Sequence, residues 1–300
     1  MEIDLNHFRG CLLGLAIGDA VGTTVEFKPR GSFPKMTDMV GGGPFHLQPG
    51  QWTDDTSMAL CLATSLITKN VFDPADQMSR YLDWYKKGYL SSTSRCFDIG
   101  TTVRQALERY EQTGESFSGS TEPNTAGNGS LMRLAPIPMF YFPDLDETIK
   151  FAGESSRTTH GAQECVEACQ LFAEMLFLAL SGSSKDDILF NTTVKISALK
   201  IKGIAGGDFR QKPINQIRGT GYVVESLEAA LWCFYHSNTF EAAILQAANL
   251  GDDADTTAAI CGQIAGAYYG ESSIPLKWLE RLFMGDEITR LTDKLSRFEP

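Results

Sequence analysis

The sequence predicts an all-α protein, and three observations carry that prediction. Apolar residues recur at helical spacing, as in Met58, Leu62, Ser65 and Leu66, and again in Ile260, Ile264, Ala267 and Tyr268. Strand-like alternation is scarce. Glycines repeat every fourth residue in two ladders, Gly10, Gly14, Gly18, Gly22 near the start and Gly262, Gly266, Gly270 near the end. On a helix that spacing makes a smooth stripe against which another backbone can lie closely.

Taken in order, helices are expected over 6–20, after the acidic cluster at 54–55, and over 74–87, 101–113, 145–156, 161–181, 185–200, 222–236 and 239–249. Two more are expected after the acidic cluster at 252–255 and over 275–284. Proline and glycine punctuation marks loops at 28–51, 113–130 and 202–221. Long loops in a compact protein are usually functional, and these border the polar motifs. A glycine inside a helix costs up to about 1 kcal/mol relative to alanine, so each ladder implies a packing benefit that offsets it. The ladders therefore read as tightly packed core helices. A membrane span is not expected, because Asp19 and Glu26 interrupt the first ladder while Asp253 and Asp255 precede the second. No Pro/Ser-rich linker divides the chain, so residues 1–300 are expected to form a single compact domain.

With 300 residues and 43% hydrophobic content the chain can bury a sizeable core. Its formal net charge is -11 and its 26 basic residues are scattered, which leaves no electrostatic footprint for nucleic acid or an anionic membrane. Seven cysteines without CxxC spacing sit mostly in apolar runs, as expected of reduced thiols in a cytoplasmic protein.

Two acidic clusters read as halves of one site: Trp52-Thr53-Asp54-Asp55-Thr56 and Gly251-Asp252-Asp253-Ala254-Asp255-Thr256-Thr257. Each precedes a helical run, so each has a simpler explanation as a helix cap. Together they offer an all-oxygen shell suited to Mg²⁺ or Mn²⁺, whereas zinc would call on His or Cys. An EF-hand is excluded, because the loop starting at Asp253 carries Ala258 at its sixth position and Ile264 at its twelfth. A shared binuclear centre could polarise a substrate oxygen and ionise a water. Glu26 is a candidate further ligand or general base.

The polar loops read as ligand contacts. Gly127-Asn128-Gly129-Ser130 offers amides and short side chains to a ribose or phosphate, although Asn-Gly is also a common turn. Gly219-Thr220-Gly221-Tyr222 precedes a helix and could place amides on a pyrophosphate with Tyr222 against a base or sugar. It lacks the third glycine and the preceding strand of a dinucleotide fingerprint. His160, just before the helix expected at 161–181, is a structural or capping histidine as readily as a ligand.

These motifs resemble those of the ADP-ribosylglycohydrolase family, and among its members most closely the bacterial dinitrogenase reductase-activating glycohydrolases. The match carries Gly18-Asp19-Ala20-Val21-Gly22 with Glu26, Thr53-Asp54-Asp55-Thr56, Cys96-Phe97-Asp98-Ile99-Gly100, Gly127-Asn128-Gly129-Ser130, Gly219-Thr220-Gly221-Tyr222 and Gly251-Asp252-Asp253-Ala254-Asp255-Thr256. The resemblance implies an all-α fold with two Mg²⁺ or Mn²⁺ ions in a central cleft, and hydrolysis of the bond between ADP-ribose and a protein side chain. It makes Thr53, Asp54, Asp55, Asp253, Asp255 and Thr256 the metal ligands. Glu26 would hold the ribose or assist the attacking water, and Asp98 would accept the arginine guanidinium in two parallel hydrogen bonds. Gly100, Gly127 to Ser130, His160 and Gly219 to Tyr222 would contact substrate. The alternatives are ADP-ribose on serine, another acceptor or a small molecule, a non-catalytic ADP-ribose-binding protein, and a metal-free two-carboxylate glycosidase.

Overall fold

A computed structural model describes residues 3–296, and within them the chain is helical with no strand. The helices are α1 Leu5–Gly22, α2 Asp54–Lys69, α3 Pro74–Lys87, α4 Thr101–Thr113, α5 Pro136–Tyr141, α6 Leu145–Arg157 and α7 Gln163–Leu180. They continue with α8 Lys185–Phe190, α9 Leu199–Ala205, α10 Val223–Tyr235, α11 Phe240–Ala248, α12 Ala254–Tyr269, α13 Leu276–Leu279 and α14 Gly285–Leu295. Nearly all buried apolar side chains belong to one continuous cluster, with a small satellite of Val25, Met36 and Ala254 beneath the loop that follows α1.

The two glycine ladders face one another. A Cβ placed on Gly14 would stand 2.3 Å from the Gly262 carbonyl oxygen, and one on Gly262 would stand 2.0 Å from the Gly14 oxygen. Gly10 meets Gly266, Gly18 meets Ala258 and Gly22 meets Ala254 in the same way, so α1 and α12 run antiparallel with backbones in direct contact. The stripe on α12 is thus Ala254, Ala258, Gly262, Gly266. Gly270 ends the helix at φ +81° and packs on Asn6 instead. The stretch Leu5–Val25 is long and apolar enough to cross a membrane, yet 89% of its 18-residue apolar window is buried inside the fold.

Two expected helices change and one unexpected helix is added. The helix expected over 185–200 breaks into α8 and α9, because two carboxylates on α7 take the intervening backbone and hydroxyl donors for themselves. Glu174 accepts from Thr193 N at 2.8 Å and from both threonine hydroxyls, and Glu167 accepts from Ala198 N at 2.7 Å and from Ser197. Thr192, Thr193 and Val194 are β-branched and lose little by leaving a helix. The helix expected over 275–284 shrinks to the single turn α13, and α14 follows it. The short α5 holds Pro136 and Pro138, which hid it from a helical reading of the sequence.

The seam yields a direct test. Gly262→Ala would gain up to about 1 kcal/mol of helix propensity at an open position. Here the added methyl must push α1 and α12 apart, and net destabilisation of roughly 2–3 kcal/mol is expected by denaturant melts. A neutral or stabilising outcome would show that the backbones are not in contact.

Candidate active site

The antiparallel seam carries the end of α1 and the start of α12 to one place, and α2 is tied in by a carboxylate from α1. Thr53 stands at the N-cap of α2 but its side chain caps nothing there. Asp19 does so instead, with one carboxylate oxygen accepting from Thr53 N at 2.8 Å and Thr53 Oγ1 at 2.9 Å. Its other oxygen accepts from Thr56 N at 3.0 Å and Thr56 Oγ1 at 2.6 Å. Asp19 is fully buried, and burial pushes its carboxyl up to about 6 against the lowering effect of these four bonds. Asp253 likewise precedes α12 without capping it through its side chain; its Oδ2 accepts from Asn128 Nδ2 at 2.8 Å. The simple capping explanation therefore fails for the side chains of Thr53 and Asp253. Asp19 satisfies the start of α2, while on α12 Asp255 Oδ1 accepts from Thr256 N at 2.8 Å.

Glu26, at the end of the turn Thr23–Val25, joins them together with Asp98, and Glu26, Asp98 and Asp255 each offer a carboxylate oxygen within 4.8 Å of the others. Two threonines cross-link the halves. Thr53 Oγ1 lies 3.2 Å from Asp255 Oδ2 and 3.4 Å from Asp55 Oδ2, and Thr256 Oγ1 lies 3.3 Å from the same Asp55 oxygen. Burial, followed by the charges of Asp98 and Asp253, pushes the Glu26 carboxyl up to about 10. Burial, then Asp253, raises Asp98 to about 7. Asp54, Asp55 and Asp255 are held well above the usual carboxylate range, first by burial and then by the charges of Asp98, Asp19 and Glu26 respectively, and Asp253 is raised by burial despite Asn128. Among the described residues no basic side chain neutralises any of them. Asp55 Oδ1 and Glu26 Oε2 are buried with no hydrogen-bond partner at all. Such a set of unpaired oxygens is unfavourable alone and fits hard divalent cations.

The acids floor a cleft of about 670 Å³ whose far wall is Gly127, Asn128, Gly129, His160, Thr220 and Gly221. Three of its lining residues, Phe27, Asp98 and Asp252, hold positive φ of 61°, 59° and 56°, a backbone conformation that costs of order 1 kcal/mol in a non-glycine residue. Paired amides fix this strain: Phe27 N donates to Asp252 O at 2.7 Å, and Asp252 N to Lys28 O at 2.8 Å. The chain spends strain here to aim Glu26 and Asp98 inward.

A family model for ADP-ribosylglycohydrolase matches residues 1–299. The chain belongs to the ADP-ribosylglycohydrolase family. It is 46% identical to "ADP-ribosylarginine hydrolase Tri1" of Serratia proteamaculans (strain 568), covering 99% of this chain and 80% of that protein. It is 32% identical to the "ADP-ribosyl-[dinitrogen reductase] glycohydrolase" of Rhodospirillum rubrum, over 95% and 94% of the two chains. A solved "ADP-ribosylglycohydrolase-related protein complex" contains a chain of TM-score 0.86 and 42% identity, with 98% of each chain covered.

In this ADP-ribosylglycohydrolase the expected site residues lie in several layers. Asp98, expected to accept the arginine guanidinium, sits within the carboxylate group beside Glu26 and Asp255. Thr53, Asp55 and Asp255 lie beneath the cleft rather than on its wall, while Asp54, Thr256 and Gly100 line it. Ser130 is buried behind the glycine loop, where its hydroxyl accepts from Ser156 Oγ at 2.9 Å. Gly219 packs on Thr257, and its carbonyl accepts from Asp253 N at 2.9 Å, so it positions an acid rather than touching a ligand. Tyr222 faces an adjoining cavity of about 600 Å³ with Glu164 and Lys200. His160 Nδ1 pairs with Thr159 Oγ1 at 2.8 Å while its ring lines the cleft. Burial, then the charge of Arg133, lowers its pKa to about 3.

Asp19 and Arg133 had no role in the sequence reading. The signal for Asp19 was its place in the α1 glycine ladder, and for Arg133 a lone cation inside Leu131-Met132-Arg133-Leu134.

Two outcomes follow from this geometry. Asp19→Ala strips four buried donors of their acceptor, each worth about 1–3 kcal/mol when left unmade, so a stability loss of at least several kcal/mol is expected in urea melts. His160 has a folded pKa below its unfolded value of 6.5. Its contribution to stability is therefore intact above pH 6.5 and lost as pH falls from there towards 3, at about 1.4 kcal/mol per unit. Wild-type protein should lose roughly that much more stability than His160→Asn between pH 6.5 and 5.5, measured as the difference of two urea melts.

Proposed function

We propose that this chain hydrolyses the N-glycosidic bond between ADP-ribose and arginine on modified proteins, releasing ADP-ribose. The observation that carries the reading is a buried carboxylate group without counter-charge at the floor of a cleft walled by glycine loops, in a chain 46% identical to an ADP-ribosylarginine hydrolase. Asp54, Asp55, Asp253 and Asp255, with the hydroxyls of Thr53 and Thr256, would hold two Mg²⁺ or Mn²⁺ ions, with Glu26 at their edge. When bound, such ions polarise a ribose oxygen and favour ionisation of a water.

The remaining work falls to side chains. The glycosidic C1′–N bond breaks, a C1′–O bond to water forms, and the water's proton ends on the departing guanidine. Glu26, 3% exposed and lining the cleft, would relay that proton, its ionised form being favoured when cations are bound beside it. Asp98 accepts hydrogen bonds from the guanidine and draws its positive charge towards the acidic floor. Attack at C1′ occurs directly or after ring opening. The Gly127–Gly129 loop, His160 and Gly221 line the far wall, where the phosphates and distal ribose would lie.

An ADP-ribosylarginine peptide incubated with Mg²⁺ or Mn²⁺ should release ADP-ribose, and EDTA should stop release. No release with either metal from folded protein sinks the reading. Asp54→Ala and Asp253→Ala should each lower turnover by about 10³-fold or more. Because each removes an unpaired buried acid, the metal-free variants should melt at or above wild type; a large loss of stability would mean that these acids hold the fold rather than the metals. For Asp98→Ala, arginine-linked turnover should fall by at least about tenfold more than serine-linked turnover; an equal fall assigns Asp98 to the cation site alone.

A further inference from the structure

Arg133 is fully buried and has no acidic partner among the described residues. A buried guanidinium without a carboxylate is costly and is retained only where its donors are needed. Its plane stacks on the Tyr81 ring, 4.6 Å from the centroid. Nη1 donates to the Gly129 carbonyl at 3.0 Å, and Nη2 donates to Thr159 Oγ1 at 2.7 Å. One cation thus grips both the glycine loop of the cleft and the residue before His160.

The direction of the next hydrogen bond follows by elimination. A guanidinium only donates, so Thr159 Oγ1 accepts from Arg133. Thr159 is fully buried, and its hydroxyl proton has a single acceptor within reach, His160 Nδ1 at 2.8 Å. Leaving that proton unmatched would cost the desolvation of a buried donor. His160 Nδ1 is therefore the acceptor, and the ring's proton lies on Nε2. That nitrogen has no protein partner among the described residues, and its ring lies against the Gly127–Gly129 loop. A Cβ on Gly127 would come within 3.3 Å of Nε2, and one on Gly129 within 3.2 Å.

We propose that Arg133 and Thr159 are positioning residues that lock His160 as the Nε2–H tautomer, so that the cleft wall opposite the acids presents a fixed, neutral donor to an oxygen of ADP-ribose. This use of the donor rests on the function proposed above; the tautomer itself does not. Arg133 sets both partners of that contact at once, the ring through Thr159 and the loop through Gly129.

The test uses full-length protein carrying ¹⁵N-labelled histidine, with ADP-ribose as the probe. The side-chain nitrogen shifts of wild type, assigned with His160→Asn, should show Nε2 protonated and Nδ1 bare. Thr159→Val removes the relay without changing volume. It should shift His160 towards the Nδ1–H form and weaken ADP-ribose binding by about tenfold in calorimetry, with a thermal melt that is lowered, because Arg133 Nη2 loses its shortest acceptor, but still cooperative. Thr159→Ser should restore both tautomer and affinity. Should Thr159→Val fail to fold, Arg133→Lys, which keeps the charge but loses the fork, gives the same two readouts. A wild-type Nδ1–H tautomer overturns the relay, as does wild-type tautomer and affinity in folded Thr159→Val. If the Nε2–H tautomer is seen but wild type does not bind ADP-ribose, the proposed function fails and the relay stands.

Discussion

Direct backbone contact between α1 and α12 is the constraint on which the site depends. With carbonyl oxygens placed about 2 Å from where a Cβ would stand, the two helices have one permitted separation and one register. That register brings Asp19 and Glu26, on and just beyond α1, to the N-terminus of α12, where Asp253 and Asp255 emerge. A looser helix pair could slide by a turn, about 5.4 Å, and would separate the two acidic halves completely. The glycine seam is a packing device whose consequence is catalytic geometry.

The seam alone does not explain how so many acids remain together. The start of α2 has been relieved of its capping duty by Asp19, which takes the amides of Thr53 and Thr56, and Asn128 holds the Asp253 carboxylate from the opposite loop. The carboxylates are thus free to face one another without a cation of the protein's own, and burial raises every one of them. The positive φ at Phe27 and Asp98 adds backbone strain of the same sign. Stability given up in both ways is recoverable on binding positive charge, which is the thermodynamic form of a site built for cations.

The sequence disclosed the helical architecture, the acidic clusters and the glycine loops because each is a local pattern. Gly10 to Gly22 and Gly262 to Gly266 announce close packing by spacing alone, although only three dimensions reveal that they pack on each other. What it concealed were relations between distant residues that replace local ones. Thr53 looks like the cap of α2, and the true cap is a carboxylate 34 positions earlier in the chain. Residues 191–198 carry a helical pattern but are unwound by Glu167 and Glu174 from a neighbouring helix. Asp98 reads as the acceptor of a guanidinium, and nothing local shows that it lies, with left-handed backbone, in the carboxylate cluster. Tyr222 shares a motif with Gly221 but opens onto a different cavity.

The two walls of the cleft are chemical opposites, and this polarity fixes how a ligand can lie. The floor offers only acceptors, unneutralised, and suits cations and a positively charged leaving group. Around His160 the opposite wall offers neutral donors, the ring being kept uncharged by burial and by the adjacent Arg133, while Arg218 also lines the cleft. A charged imidazolium there would attract phosphate more strongly, but it would also be drawn towards the acids and would compete with the cations for them. Neutral donors bind an oxygen-rich ligand without offsetting the negative floor, since their reach is a hydrogen bond rather than a long-range field. Arg133 supplies its charge one layer back, behind Thr159, where it orders the wall without itself entering the cleft. At His160 the molecule thus separates the group that carries positive charge, Arg133, from the neutral ring that faces the cleft.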